Sequence, residues 1–89
     1  MTAFNEIYNE AYRLALCGDY EAACELYERL NAPANNPEQR ANVANDLGTI
    51  AALRGEIPQA QRHFEMALSN HSDSVAARQN LKMLSENVF

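Results

Sequence analysis

Few residues in this chain are equipped for covalent or metal chemistry. Cys17, Cys24, His63 and His71 are its whole thiol and imidazole complement. The cysteines straddle a glycine turn and miss the close Cys-x-x-Cys type of spacing that zinc sites use. They read as small buried hydrophobes. His63 is expected on an outer helix face and His71 in a loop, and neither has a cysteine nucleophile at usable spacing. Gly18, Gly48 and Gly55 stand singly, so no glycine-rich loop is available to cradle phosphate. The expectation is a chain that is not an enzyme and carries no cofactor and no metal.

Charge narrows the partners. The formal net charge is −5 and the pI about 4.8. The acidity sits early: Glu6, Glu10, Asp19, Glu21, Glu25 and Glu28 face only Arg13 and Arg29 before residue 32. Nucleic-acid binding needs clustered lysine and arginine, and that clustering is absent. An acidic face steers a basic partner, and the same acids equally serve to keep a surface solvated. The start, Met1-Thr2-Ala3-Phe4, has neither a basic stretch nor an apolar one. No apolar run approaches the roughly 18 residues of a membrane span. Two cysteines make no disulfide scaffold, so a cytoplasmic location is expected.

The elements that position these residues are helices. Eighty-nine residues fit one domain. Ile7, Ala11 and Leu14 recur at helical spacing over about Ala3–Cys17, with Thr2 as N-cap and Gly18 as the stop. Asp19 caps a second helix to Asn31 with Ala23, Leu26, Tyr27 and Leu30 inward. After the linker Ala32–Asn36, Asn36, Pro37 and Gln39 spell a capping box at the start of a third helix. That helix runs to about Arg54 and buries Val43, Ala44, Leu47, Ile50 and Ala51. A fourth, about Pro58–Ser69, buries Ala60, Phe64, Ala67 and Leu68. Ser72 or Asp73 caps a fifth, to about Glu86, which buries Ala77, Leu81 and Leu84.

The chain repeats itself. Gly18-Asp19-Tyr20-x-x-Ala23-x-x-x-Tyr27 aligns with Gly55-Glu56-Ile57-x-x-Ala60-x-x-x-Phe64, an offset of 55 − 18 = 37 residues. Glycine makes the turn, alanine lets two antiparallel helices touch, and the aromatic fills the space between hairpins. On these residues, and on Ala41-x-x-x-Asn45-Asp46-Leu47-Gly48, the sequence resembles the tetratricopeptide repeat, a helical hairpin of roughly 34 residues. Residues 41–74 match closely, departing at Ala44, Ala51 and Ser72. Residues 4–40 match less well, with Glu10-Ala11 for the leucine-glycine pair and extra linker residues. A closing helix over about 73–86 reads as the start of a third unit, with Lys82 in place of the glycine.

The resemblance implies an all-α fold: antiparallel helical hairpins stacked as a right-handed solenoid of five helices. It also implies a function, a protein-protein interaction scaffold that binds a peptide or protein segment in a concave groove lined by the first helices. Carried over position by position, that groove holds Asn5, Tyr8, Asn9 and Tyr12, then Asn42, Asn45, Asp46 and Thr49, then Ala76, Gln79, Asn80 and Met83. Amides hydrogen-bond an extended backbone and tyrosine is a rigid anchor, although the same residues also serve simple helix-to-helix contact. Relatives that clamp a chaperone's C-terminal carboxylate use cations here. Tyr8, Tyr12, Asp46, Ala76 and Asn80 supply none, which argues against that use.

The last helix points to an alternative. Val75, Leu81, Leu84, Val88 and Phe89, with Met83 near them, leave its outer face only half polar. Leu81, Leu84, Val88 and Phe89 are candidates for self-association into a homodimer. They equally suit the end of an N-terminal module in a longer protein carrying an enzyme domain, or a simple capping helix with a frayed tail.

Overall fold

The computed structural model describes residues 3–32 and 35–88. It contains five α-helices: α1 (Ala3–Leu16), α2 (Tyr20–Leu30), α3 (Pro37–Leu53), α4 (Ile57–Asn70) and α5 (Val75–Ser85). The described residues include no strand. The expected ends of α1 to α4 agree to within one residue, while α5 starts at Val75, up to two residues later than expected. The suggested cap Thr2 lies outside the described residues.

Backbone chemistry at the helix ends explains the boundaries. Gly18 and Gly55 both take positive φ, +86° and +78°, the left-handed region that glycine enters freely. At the first turn the Gly18 N–H donates to the Ala15 carbonyl (3.0 Å) and the Asp19 N–H to the Leu14 carbonyl (2.9 Å). Gly55 and Glu56 repeat this on Ala52 (3.1 Å) and Ala51 (2.8 Å). These pairs satisfy the last carbonyls of α1 and α3 and reverse the chain. α5 ends in the same motif, with Asn87 at φ 61° and its N–H on Leu84.

The helix starts are equally explicit. The Asn36 side chain accepts from the Gln39 N–H (2.8 Å) while the Gln39 side chain accepts from the Asn36 N–H (3.2 Å). The cap of α5 is Ser74, not Ser72 or Asp73: its hydroxyl accepts from the Ala77 N–H at 3.2 Å. The Ser72 carbonyl instead accepts two bonds from the Arg78 guanidinium, at 3.1 and 2.6 Å. That contact holds the 72–73 stretch outside the helix.

Helices pack in chain order, α1 on α2, α2 on α3, α3 on α4 and α4 on α5, and α3 also reaches α5. The chain is thus two antiparallel hairpins and a fifth helix. Ala11, Ala23, Ala60, Ala67 and Ala77 are fully buried, and their small side chains let backbones approach. Tyr27 and Phe64, equivalent in the repeat, are the largest fully enclosed side chains. Phe64 serves its own hairpin as well as the next helix. It belongs with Ala51, Ala52 and Ala60, flanked by Leu81 and Leu84, and it lies against Gly48, where an added Cβ would fall 2.5 Å from its ring.

Leu81 and Leu84 are therefore half-buried against this cluster. The expectation that α5 buries them is met in part, because α5 turns these leucines toward α4 while each stays half-exposed. Val75 and Val88 stay exposed. Phe89 lies outside the described residues. Cys17 is exposed rather than buried, and Cys24 is half-buried beside the first hairpin's core.

Candidate functional site

The first helix of each hairpin and α5 place the predicted groove residues by helical spacing alone. Tyr8 and Tyr12 are one turn apart on α1, Asn42, Asn45, Asp46 and Thr49 follow the same stripe on α3, and Gln79 and Asn80 lie on α5. Asn5, Asn9, Tyr12, Asn42, Ala76, Gln79 and Met83 are exposed, and Tyr8, Asn45, Asp46, Thr49 and Asn80 are half-buried.

The half-buried members tie the helices together. The Tyr8 hydroxyl donates to Asp46 Oδ2 at 2.5 Å, joining α1 to α3. Asn80 Nδ2 donates to Asn45 Oδ1 at 2.9 Å, joining α5 to α3. The Thr49 hydroxyl donates back to the Asn45 carbonyl at 3.1 Å. Tyr8, Asn45 and Asn80 thus make helix-to-helix contacts. The exposed amides of the stripe are Asn5, Asn9, Asn42 and Gln79.

An aromatic ladder supports this stripe. Phe4 stacks on Tyr8 with centroids 5.6 Å apart, and Tyr8 meets Tyr27 edge-on, also at 5.6 Å. Edge-to-face and offset stacking are the favoured aromatic geometries. Burial and then the hydrogen bond to Asp46 push the Tyr8 hydroxyl well above its ordinary pKa. Tyr27 is pushed up the same way, by burial and the Asp46 charge. Both phenols are firm donors at any physiological pH. Asp46 answers in kind: burial raises its carboxyl, while hydrogen bonds from Tyr8 and Tyr27 pull it back down.

Beyond Tyr8 the stripe opens into a cavity of about 230 Å³. Tyr12, Tyr20 and Tyr27 line it, with Asp46 and Thr49 beside them and Leu16 and Leu53 at the helix ends. Tyr12, Leu16 and Leu53 are more than half exposed, at 53%, 72% and 57%. A second, smaller cleft lies between α4 and α5, lined by Ile57, Gln61, Leu81, Leu84 and Ser85.

Three predicted groove positions, Tyr12, Asp46 and Thr49, come together in the first cavity. Sequence reasoning did not include Tyr20, Tyr27, Leu16 and Leu53. Tyr27 carried a signal: it replaces the Phe64 of the second hairpin, and a hydroxyl added at a core position needs a partner. The polar group it faces is Asp46, whose charge helps raise the Tyr27 hydroxyl.

The imidazoles and thiols do not assemble. His63 is half-buried rather than outward, with Nδ1 enclosed, and burial lowers its pKa against the opposing influence of Glu28. Burial raises the Cys24 thiol, with Arg54 opposing, so it is a poor nucleophile. Among the described residues no cluster of three histidine, cysteine or acidic side chains is placed to hold a metal ion. No helix among them is long and apolar enough to cross a membrane.

A family model described as the tetratricopeptide repeat matches residues 8–29 and 41–66. These segments fall within the two hairpins. No curated protein and no solved structure matches the chain.

Proposed function

The chain belongs to the tetratricopeptide repeat family, and on that premise we propose that it is a non-catalytic scaffold which binds a peptide segment across the face formed by α1, α3 and α5. Repeats of this family generally mediate protein-protein interaction. The observation that carries the reading is an open, mostly apolar cavity lined by exposed Tyr12 together with Asp46 and Thr49, with Asn42 and Gln79 exposed on α3 and α5. An apolar hollow fixes a side chain, and amides beside it engage the backbone of the same segment. The engaged pair Asn45 and Asn80 sets the spacing of α3 and α5 beneath that segment. A cytoplasmic setting suits the free thiols Cys17 and Cys24.

The test is an array of synthetic peptides probed with the wild type and with Tyr12→Ala/Asn42→Ala. Both changes are at exposed positions and are expected to leave helicity intact, which circular dichroism checks. The reading expects peptides captured by the wild type to be lost by the double variant. Equal capture by both proteins would sink it.

Self-association is the second reading, favoured by the cleft between α4 and α5 with Ile57 exposed at its rim. Val88 adds exposed apolar surface at the end of α5. It predicts a dimeric mass at micromolar concentration and its loss in Ile57→Glu, a change outside the Phe64 cluster. A monomer at high concentration by sedimentation rules it out.

A further inference from the structure

We propose that the cavity between α1, α2 and α3 is a socket for one basic side chain, preferably arginine, of the segment bound on this face. The inference rests on the peptide-binding reading above and names the partner's chemistry.

Size is the first argument. Small-molecule sites typically enclose about 300–1,000 Å³. The cavity here measures about 230 Å³ and is open on one side, a fit for a single side chain projecting from a longer ligand. The second is the nature of its walls. Three tyrosines line it, and aromatic faces attract cations, the guanidinium most often.

The third argument is charge. Asp46 lines the same cavity, and no lysine or arginine lines it. Tyr8 donates to this carboxylate, yet a hydroxyl donor does not neutralise a charge. An apolar occupant would bury Asp46 further with nothing to balance it, which is costly. A guanidinium balances the charge, lays its plane on tyrosine and rests its aliphatic stem on Leu16 and Leu53. The first hairpin reinforces the choice, with six acids against two arginines before residue 32. One of those two, Arg13, is already bonded to Glu10.

The probe is N-acetyl-arginine amide, titrated into ¹⁵N-labelled protein and followed by amide shifts. N-acetyl-citrulline amide is the control, since it keeps the shape and loses the charge. The expected result is saturable shifts at Tyr12, Asp46, Thr49 and Leu53 with arginine, and binding about tenfold weaker with citrulline. Asp46→Asn and, separately, the exposed-site variant Tyr12→Ala should each weaken arginine to a similar degree. Equal binding of arginine and citrulline overturns the socket. So do shifts scattered over the surface glutamates, or arginine binding unchanged in both variants. The peptide array separates this from failure of the wider reading. Captured peptides that lack lysine and arginine, yet depend on Tyr12 and Asn42, leave the binding face standing and remove the socket.

Discussion

Tyr8 and Asp46, 38 residues apart, share a 2.5 Å hydrogen bond that ties the first hairpin to the second. Tyr27 reaches the same carboxylate from α2. The charge that shapes the candidate site is therefore also a joint of the fold. Its double role makes the site and the stability of the array separable only by experiment on these three residues.

Replacing Asp46 should stabilise the protein in a pH-dependent way. Burial holds its carboxyl above the ordinary 3.8. A raised native value contributes stability that is fully present below pH 3.8 and is lost as the pH rises through the native value. Asp46→Asn stays neutral throughout and still accepts from Tyr8. Urea unfolding should find the variant more stable than wild type at pH 7, with a margin that narrows toward pH 4. A margin that widens on acidification contradicts the assignment.

Tyr8→Phe removes one donor and keeps the ring on Phe4 and Tyr27. Leaving a half-buried carboxylate short of a partner costs about 1–3 kcal/mol. In the Asp46→Asn background the same change should cost less, because the acceptor is neutral there. A double-mutant cycle by urea denaturation measures that coupling, and strict additivity would show that the bond carries no energy.

Glycine replacements should separate two causes of strain. Gly18→Ala and Gly55→Ala meet no atom within 4 Å but must hold positive φ, at a cost of about 1–2 kcal/mol each. Gly48→Ala meets the Phe64 ring at 2.5 Å and should cost about 1–3 kcal/mol through overpacking. Phe64→Leu should relieve part of the Gly48→Ala cost and none of the Gly55→Ala cost. Thermal melts of the four single and two double variants check this.

The hairpins were legible because their punctuation is local. Gly18 and Gly55 need no tertiary context to end a helix, and Asn36-Pro37-x-Gln39 starts one from its own side chains. The offset between the two glycine turns made the duplication visible. The cap of α5 was missed because Ser72, Asp73 and Ser74 are all competent caps, and the choice is made by Arg78 reaching back six residues. The cavity was only half visible. Tyr12, Asp46 and Thr49 follow from repeat position, whereas Tyr20, Leu16 and Leu53 join it through the packing of one hairpin against the next. Periodicity assigns each residue to a face of its own helix and says nothing of which neighbours meet there. For the same reason the burial of Leu81 and Leu84 depended on how α5 rolls against Phe64.

The most direct test of the binding face is an amide-shift map of labelled protein titrated with the tightest peptide from the array. The account predicts saturable shifts concentrated on α1, α3 and α5, around Tyr12, Asn42, Asp46 and Gln79. Shifts concentrated instead on α2 and α4, around Glu25 and Gln61, would contradict it.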